Sequence, residues 1–566
     1  MQGNDGAMRW PEFQLQTAYG VTVTTHHPSG VGDGGAGVGL CNETAFKIGT
    51  PRADSGTTMR AERPLYSTLL PLSLVALAAV VTTPGFKNRF TQDELPLIVT
   101  DEAVHTLARP AVFFTQAYWH DPFPPALYRP FATAGLALQW RAGGGQPAVY
   151  RWVSAALLAG SAVALFLLAV QCLPYFAAWA AAALFAVHPL HVEATALGVN
   201  QGELAVALFL LLATAGYVRD RRTGDLRPGT QVSTVLYFLA AALFKENGLV
   251  LPGLLLAAEV TLITDPRPLR ERFRRLRPFY LALGLTGAVV LLARTVVLRW
   301  DLVGTFTADA MLGTGWVGRA LTMLGVVPEW WRLLIWPSHL QADYGPDEIV
   351  AAAGFGTPQA LGSALLLLWI GAILYTRRRA PTLAFSLGWV AIALVPVANV
   401  IVPTGVALAE RTLFLASAGA MLAAGWLGAA VWRRGWKIPA VIVLALLLIL
   451  GTRGSRARIR IWKDQRTLLE QTVLDAPRSY SAHVGLARFL EDSSTTDAAA
   501  ERFRQAAIIR PSLVELERAI ADRYRQTGFC PAAVRHYRRA LAVLPGDSAM
   551  QASLNACLLG LPRSVP

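Results

Sequence analysis

The stretch Leu-Tyr-Ser-Thr-Leu-Leu-Pro-Leu-Ser-Leu-Val-Ala-Leu-Ala-Ala-Val-Val-Thr-Thr at residues 65–83 has no charged side chain. It is long enough to cross a bilayer as a helix, and comparable stretches recur along most of the chain. Of 566 residues, 54% are hydrophobic and only 16% are charged, and the mean hydropathy is +0.40. This composition is too apolar for a soluble protein of this length and predicts a polytopic membrane protein.

Apolar runs of this kind predict about eleven transmembrane helices and hence an all-α fold. They lie near residues 65–83, 149–170, 174–188, 203–218, 231–249, 250–264, 279–298, 359–376, 382–400, 412–432 and 438–452. The Trp-rich stretch 316–337 is interrupted by Pro328 and by charges, and it is not counted as a span. The predicted domains are a disordered N-terminus (1–64), a transmembrane domain (65–452), a linker (453–466) and a helical tail (467–566).

Basic residues predict the orientation of the spans. Arginine-rich connectors occur at 219–227, 267–277, 377–379 and 433–437, and with eleven spans they share one side. The positive-inside rule makes that side the cytoplasm and places the tail outside. The basic segment 453–460 opposes the rule, so the last span is the least certain. The first span is expected to be an uncleaved anchor, since residues 1–60 have no signal-peptide pattern.

The net charge of +14 does not predict a nucleic-acid partner, because the cations cluster at membrane connectors. The cysteines are too scattered to predict a disulfide framework or a metal site. They are Cys41, Cys172, Cys530 and Cys557.

The tail repeats with a period of 34 residues, which is typical of tetratricopeptide repeats. The four matched pairs are Ala499 and Ala533, Phe503 and Tyr537, Ala506 and Ala540, and Pro511 and Pro545. Such units stack into an α-solenoid and bury apolar surface only against their neighbours. The tail is therefore expected to lean on the external loops or on a protein partner, either as a peptide-holding groove or as a spacer.

Asp101 and Glu102 form an acidic pair soon after the first span, in Leu-Ile-Val-Thr-Asp-Glu-Ala-Val-His. A poorly hydrated carboxylate near a membrane boundary has a raised pKa and can act as a general base on a hydroxyl. Two solvated acids at a helix start are the simpler interpretation of the pair alone.

Further motifs follow in a familiar order. They are Thr-Asp-Glu-Ala-Val-His (100–105), Tyr-Trp-His-Asp (118–121), Tyr-Arg-Pro-Phe (128–131), Phe-Ala-Val-His-Pro-Leu-His-Val-Glu-Ala (185–194), Asn-Gln-Gly-Glu-Leu (200–204), Phe-Lys-Glu-Asn-Gly (244–248), Pro-Ser-His-Leu-Gln-Ala-Asp-Tyr (337–344), Asn399, Ala-Glu-Arg (409–411) and Ile-Trp-Lys-Asp-Gln (461–465). Over residues 65–550 the chain resembles the transmembrane and tetratricopeptide-repeat O-mannosyltransferases of the GT-C superfamily. The family often has Asp-Asp where this chain has Asp101-Glu102, and Gly-Arg-Ala-Glu where it has 200–203.

The resemblance implies an inverting transfer of a monosaccharide, mannose or another hexose, from a polyprenyl or dolichyl phosphate to a hydroxyl, with protein Ser/Thr as the expected acceptor. Asp101 is the predicted base, and Glu102 is expected to orient the acceptor or brace a cation. Arg411, Lys245 and Arg129 are the predicted ligands of the carrier phosphate. The alternatives are a simple Lys245–Glu246 ion pair and an Arg411 that only snorkels to the interface.

The remaining polar residues of these motifs are expected to position the donor and the acceptor. They are His188, His191, Glu193, Glu203, Glu246 and Glu410. The two histidines could share a metal, but Pro189 between them favours a turn, and neither a cofactor nor a divalent ion is predicted. Four tryptophans in 299–358 suit a lid or lipid groove, although the enrichment of tryptophan at membrane interfaces is the stronger explanation. They are Trp316, Trp330, Trp331 and Trp336.

Two other functions are compatible with the sequence. An O-antigen-ligase-like oligosaccharide transferase also combines many spans with repeats, and a non-catalytic scaffold would only display them. A transporter fits less well, because the ionisable residues gather at outer loops. The Ala-, Arg- and Gly-rich composition suggests a bacterial cytoplasmic membrane with the tail in the periplasm; in a eukaryote the membrane would be that of the endoplasmic reticulum.

Overall fold

The computed structural model describes residues 66–120, 125–299, 308, 311, 313–345, 348–492 and 496–560. In these ranges the chain forms helices and turns and no strand, as predicted for an all-α fold. The N-terminal prediction for residues 1–64 lies outside them.

The bundle is built from helices that the apolar runs specify. In chain order they are α1 (Tyr66–Thr82), α2 (Val112–Thr115), α3 (Pro130–Gly143), α4 (Pro147–Ala169), α5 (Tyr175–Val187), α6 (Val192–Ala196), α7 (Gln201–Thr223), α8 (Pro228–Phe244), α9 (Leu251–Thr261), α10 (Leu269–Val297), α11 (Trp316–Ile335), α12 (Thr357–Arg379), α13 (Pro381–Leu394), α14 (Phe414–Arg433) and α15 (Lys437–Ile459).

Each predicted span overlaps one of these helices, but they differ in length. Seven of those described are long and apolar enough to cross a membrane, namely α1, α4, α7, α10, α12, α14 and α15. The bent pair formed by α5 and the segment Pro189–Ala196 would make an eighth. Because α8, α9 and α13 are shorter, the count of eleven spans stays a prediction.

Several helices break at the end of the bundle opposite the arginine-rich connectors. There α5 ends before Pro189, and α8 ends at Phe244; short 3-10 turns follow at Pro189–His191 and Glu246–Val250. A third turn, Glu410–Leu413, leads into α14. Proline cannot continue a helical hydrogen-bond ladder, and ionisable side chains avoid the apolar bundle interior. These breaks therefore bring polar loops together at one end.

The stretch 316–337, which the sequence left uncertain, folds as the continuous helix α11 in spite of Pro328. One face of α11 buries Met323, Val327 and Leu334. Helix α12 approaches α11 so closely that a Cβ added at Gly362 would collide with the backbone carbonyl of Leu324. Close backbone approach through a small residue is a common way of packing helices in membranes.

The tail consists of antiparallel helices packed in succession. They are α16 (Gln465–Asp475), α17 (Tyr480–Asp492), α18 (Thr496–Ile509), α19 (Ser512–Gln526), α20 (Cys530–Val543) and α21 (Ser548–Gly560). The matched alanine and aromatic positions are buried: Ala499, Phe503, Ala506, Ala533, Tyr537 and Ala540. The packing agrees with the period, while the tetratricopeptide assignment stays a prediction.

One expectation about the tail was wrong. Cys530 and Cys557 form a disulfide between α20 and α21, although their spacing predicted none. The spacing did not indicate it, because the two Cα atoms come to 5.2 Å only when the helices fold into a hairpin. Within the predicted linker, α15 runs without interruption to Ile459 and the turn Arg460–Lys463 follows at once.

Replacing Gly362 by alanine should separate α11 from α12, because the added methyl group meets backbone that cannot move independently of its helix. We expect the midpoint of thermal unfolding in detergent to fall for Gly362→Ala. Gly371→Ala on the same helix is the matched control, since a Cβ there meets open space. Equal midpoints for the two variants would contradict the α11–α12 packing.

Candidate active site

A buried ion pair fixes the loop that follows α1. Glu94 is fully buried, and its carboxylate accepts hydrogen bonds from both terminal nitrogens of Arg151 at 2.5 and 2.8 Å. The backbone N–H groups of Thr91 and Gly198 also donate to Glu94, at 3.0 and 2.6 Å. A buried charge is tolerated only when it is paired and hydrogen-bonded in this way. The network joins the loop to α4 and to the turn before α7.

Asp93, beside Glu94, lies in different surroundings. Asp93 is exposed at the surface of its loop, although protein atoms crowd the space around it. The loss of hydration raises the pKa of the Asp93 carboxyl, and Glu193 adds to the rise, while Arg411 and Arg129 oppose it. The preceding residue, Gln92, has a φ of 48°, which non-glycine residues seldom adopt. Its backbone N–H donates to the Gln465 side chain at 2.8 Å, so the strained turn is supported from the root of the tail.

Arg411 is held by one carboxylate at two points. Glu193, on α6, accepts a hydrogen bond from the backbone N–H of Arg411 at 2.8 Å, and it also pairs with the guanidinium. The Glu193 side chain is buried, whereas 23% of the Arg411 side chain remains accessible. The result is a fixed cation with one open face near Asp93.

Two further ion pairs complete the cluster. The Lys245 ammonium contacts Glu203 at 2.6 Å, and burial lowers the pKa of Lys245 although Glu203 opposes the change. Glu246 accepts from Arg129 at 3.0 Å and from Arg294 at 2.8 Å. Burial opposes ionisation of Glu246, but Arg129 and Arg294 outweigh it and lower the pKa of this carboxyl to about 2. Glu246 is therefore ionised and neutralises part of the cationic field.

Asp101 and Glu102, the predicted catalytic pair, form no ion pair with Arg411, Lys245 or Arg129 among the described residues. The Asp101 carboxylate caps the 3-10 turn Glu102–His105 through the Ala103 N–H at 2.9 Å and lies 3.3 Å from His120. Glu102 is exposed. An N-capping carboxylate stabilises its own turn, and an exposed one keeps its hydration. The role of Asp101 stays a prediction, and Asp93 is a second acid close enough to Arg411 and Arg129 to be influenced by their charge.

The predicted positioning residues separate into two groups. Glu193, Glu203 and Glu246 join the charged cluster described above. His188, His191 and Glu410 do not. His191 bonds Ser417 at 2.8 Å and lies between the rings of Phe185 and Phe414, while His188 caps the turn before it.

No three histidine, cysteine or acidic side chains are grouped as metal ligands in the described ranges. Glu410 is buried beside Tyr344 and Arg458. Of the four tryptophans, Trp330 is buried, Trp331 is half-buried, and Trp316 and Trp336 are exposed on α11 and just after it.

Sequence reasoning missed five residues that shape this region, namely Asp93, Glu94, Arg151, Arg294 and Arg458. One signal was available. Asp93-Glu94 is also an adjacent acidic pair, closer to the end of the first span than Asp101-Glu102 and followed by Pro96. The partners on α4, α10 and α15 are far apart in sequence, and no local pattern indicates them.

The fold and site define a multi-pass helical membrane protein with a charged recess at one end. No family model matches the chain. The chain is similar to curated proteins named protein O-mannosyl-transferases, which agrees with the resemblance seen in its motifs. It is 22% identical over 507 residues to TMTC3 of Homo sapiens, covering 84% of this chain and 55% of that protein. It is 27% identical over 364 residues to TMTC4 of Mus musculus, covering 57% and 48%.

The chain thus spans about half the length of the curated relatives it matches. Two solved structures are also similar at low TM-score. One is the Archaeoglobus fulgidus oligosaccharyltransferase AglB in complex with an inhibitory peptide and a dolichol-phosphate. Its TM-score is 0.39 at 16% identity, and the match covers 70% of this chain and 56% of the AglB chain. ArnT from Cupriavidus metallidurans, bound to undecaprenyl phosphate, has a TM-score of 0.35 at 13% identity and covers 88% and 78%.

Replacing Arg151 by methionine should destabilise the protein strongly, since it leaves the fully buried Glu94 carboxylate without its cation. Breaking a buried pair in this way costs about 3–5 kcal/mol. The expected result is a lower midpoint of thermal unfolding in detergent. Arg141→Met, at the exposed end of α3, is the control and should leave the midpoint unchanged. A small effect of Arg151→Met would contradict the structural role of this pair.

Proposed function

We propose that the chain is a membrane glycosyltransferase that transfers a monosaccharide, mannose or another hexose, from a polyprenyl or dolichyl phosphate to a hydroxyl of a polypeptide. The observation that supports this most directly is the position of Asp93. Asp93 is exposed, so a substrate can reach it; crowding by protein raises the pKa of its carboxyl, and Arg411 and Arg129 lie near enough to oppose that rise. The names of the relatives, protein O-mannosyl-transferases, support the same reaction class.

In the proposed reaction the Asp93 carboxylate accepts the proton of the acceptor hydroxyl. The hydroxyl oxygen attacks the anomeric carbon from the side opposite the phosphate, so the configuration inverts. The bond between that carbon and the phosphate oxygen breaks, and its electron pair remains on the lipid phosphate. A base with a raised pKa is better matched to a hydroxyl than an ordinary aspartate, because proton transfer then has a larger driving force.

The leaving phosphate gains negative charge as the bond breaks. Fixed cations in a site with little water stabilise this growth more than they would in bulk solvent. Arg411 is the strongest candidate, because Glu193 fixes both its backbone and its guanidinium while one face stays open. Lys245 and Arg129 are held by Glu203 and Glu246, and Arg294 adds a cation that the sequence did not indicate.

The proposed side of the reaction is extracytoplasmic. The recess lies at the end of the bundle opposite the arginine-rich connectors, and the tail begins at that same end. The Cys530–Cys557 disulfide in the tail is compatible with an oxidising compartment such as a bacterial periplasm or the endoplasmic reticulum lumen. The tail would then present its helices to the acceptor polypeptide.

Asp93→Asn should abolish turnover without loss of the fold, because an amide cannot accept the hydroxyl proton. A positioned base contributes on the order of 10²–10⁴-fold to the rate. Hexose transfer from a radiolabelled polyprenyl-phosphate donor, measured with purified protein in detergent, provides the test. Glu102→Gln is the matched control and should retain activity, since Glu102 is exposed.

The pH profile of the wild type provides a second readout for the same group. Only ionised Asp93 can serve as base, so kcat/KM should fall as the pH drops through its pKa. Because that pKa is raised above 3.8, the fall should begin at a higher pH than for an ordinary aspartate. A larger loss for Asp101→Asn than for Asp93→Asn would restore Asp101 as the base. Full hexose transfer by both variants would exclude both carboxylates as the base, whereas no transfer by the wild type would favour the scaffold.

Arg411→Met should raise the KM for the lipid donor and lower kcat, since it removes charge stabilisation in both the ground state and the transition state. The loss in kcat/KM is expected to be on the order of 10²-fold, as for other preorganised electrostatic groups. Arg109→Met, in the exposed part of the first loop, is the control. Unchanged donor kinetics for Arg411→Met would remove Arg411 from the proposed phosphate site.

A further inference from the structure

The root of the tail, defined as residues 455–465, contacts the proposed catalytic loop directly. The Asn88 side chain donates to the Ile459 carbonyl at 2.9 Å, and the Arg89 N–H donates to the Lys463 carbonyl at 2.8 Å. These contacts lie just before Asp93. The root therefore packs as part of the bundle rather than as a flexible connection to the repeats.

A second contact from the same segment reaches the turn that carries Arg411. Glu410 is fully buried, and its carboxylate accepts from the Tyr344 hydroxyl at 3.4 Å. Arg458 lies 3.6 Å from the same carboxylate oxygen. The other oxygen of Glu410 has no hydrogen-bond partner among the described residues. Such a carboxylate depends on a nearby cation for its ionised form.

Arg458 itself is buried and connects two acids. One terminal nitrogen contacts Asp475, at the end of α16, at 2.5 Å, while the other faces Glu410. Within the described ranges, Arg458 is the one cation within ion-pair distance of Glu410. The two terminal nitrogens of a guanidinium can each contact a different carboxylate. A lysine ammonium has a single nitrogen and cannot reproduce this geometry.

The turn Glu410–Leu413 is contacted from both sides. Glu193 holds Arg411 from α6 through hydrogen bonds, and Arg458 on α15 lies within ion-pair distance of Glu410 without a hydrogen bond to it. If Arg458 were lost, the buried Glu410 carboxyl would lose the cation beside it, and we expect the turn to shift. Such a shift moves the backbone that aims the Arg411 guanidinium. Misplacement of a catalytic group by about 1 Å can cost 10²-fold in rate.

We infer that Arg458 is a positioning residue: by bridging Glu410 and Asp475 it fixes Arg411 for the lipid phosphate and couples the first helix of the tail to the donor site. This inference rests on the proposed function for the role of Arg411. It assigns no contact with substrate to Arg458. The same bridge explains why α15 and the following segment Ile-Trp-Lys-Asp-Gln (461–465) pack beside the site.

The test measures donor kinetics together with a readout that needs no turnover. Arg458→Lys keeps the charge but loses the fork, and it should raise the donor KM several-fold. Arg458→Met should raise it about tenfold or more. Hydrogen exchange of residues 405–415 should become faster in both variants. Undecaprenyl phosphate, added as a probe, should raise the unfolding midpoint less than it does for the wild type.

Arg456→Met is the matched control, because Arg456 lies on the same helix and donates to the Val80 carbonyl at an exposed site. The double variant Glu410→Gln/Arg458→Met removes both charges and should lose less donor affinity than the two single effects combined, since neighbouring partners are not additive. If Arg458→Met alone does not fold, the double variant, which carries neither charge, still tests whether Arg458 positions the turn.

Wild-type donor KM and unchanged exchange in Arg458→Lys would overturn the inference, as would additive effects in the double variant. If the wild type transfers no sugar, the proposed function fails. The exchange of residues 405–415 still shows in that case whether Arg458 positions the turn.

Discussion

The structure depends on the cost of placing ionised groups where water is scarce. At the end of the bundle that carries the recess, helices stop short and their loops bring acids and bases into close contact. Buried Glu94, Glu193, Glu203 and Glu410 each lie within ion-pair distance of an arginine or lysine on another element. In each pair the cation compensates the charge of a buried carboxylate, and the contact also joins two segments that are distant in sequence.

Asp93 departs from this pattern. Among the described residues its carboxylate has no ion pair, although Arg411 and Arg129 lie close enough to influence its pKa. Neighbouring acids that are already paired hold those cations in place. The cluster therefore leaves one accessible carboxyl and part of one guanidinium without an ion-pair partner among the described residues. An acid with a raised pKa beside fixed cations is an arrangement expected at functional sites.

The choice between Asp101 and Asp93 illustrates how far sequence can lead. Two acidic pairs follow the first span, and the local pattern does not distinguish them. Asp101 caps a turn in the folded chain, while Glu94 pairs with Arg151 on α4 and its neighbour Asp93 lies near enough to Arg411 to feel its charge. The surroundings of a side chain in an irregular loop depend on contacts made by other parts of the chain, so the motif alone does not distinguish the two acids.

The sequence by itself determined the all-α class, the approximate position of each predicted span and the period of the tail, because apolar length and helical periodicity are local properties. It also identified Arg411, Lys245, Arg129 and their acidic partners as residues of interest. Only the tertiary structure decided which acid faces the cations, that Cys530 meets Cys557, and that Arg458 contacts Glu410. Those contacts join segments that are distant in sequence, so they depend on how the helices pack and how the buried charges are paired in the folded chain.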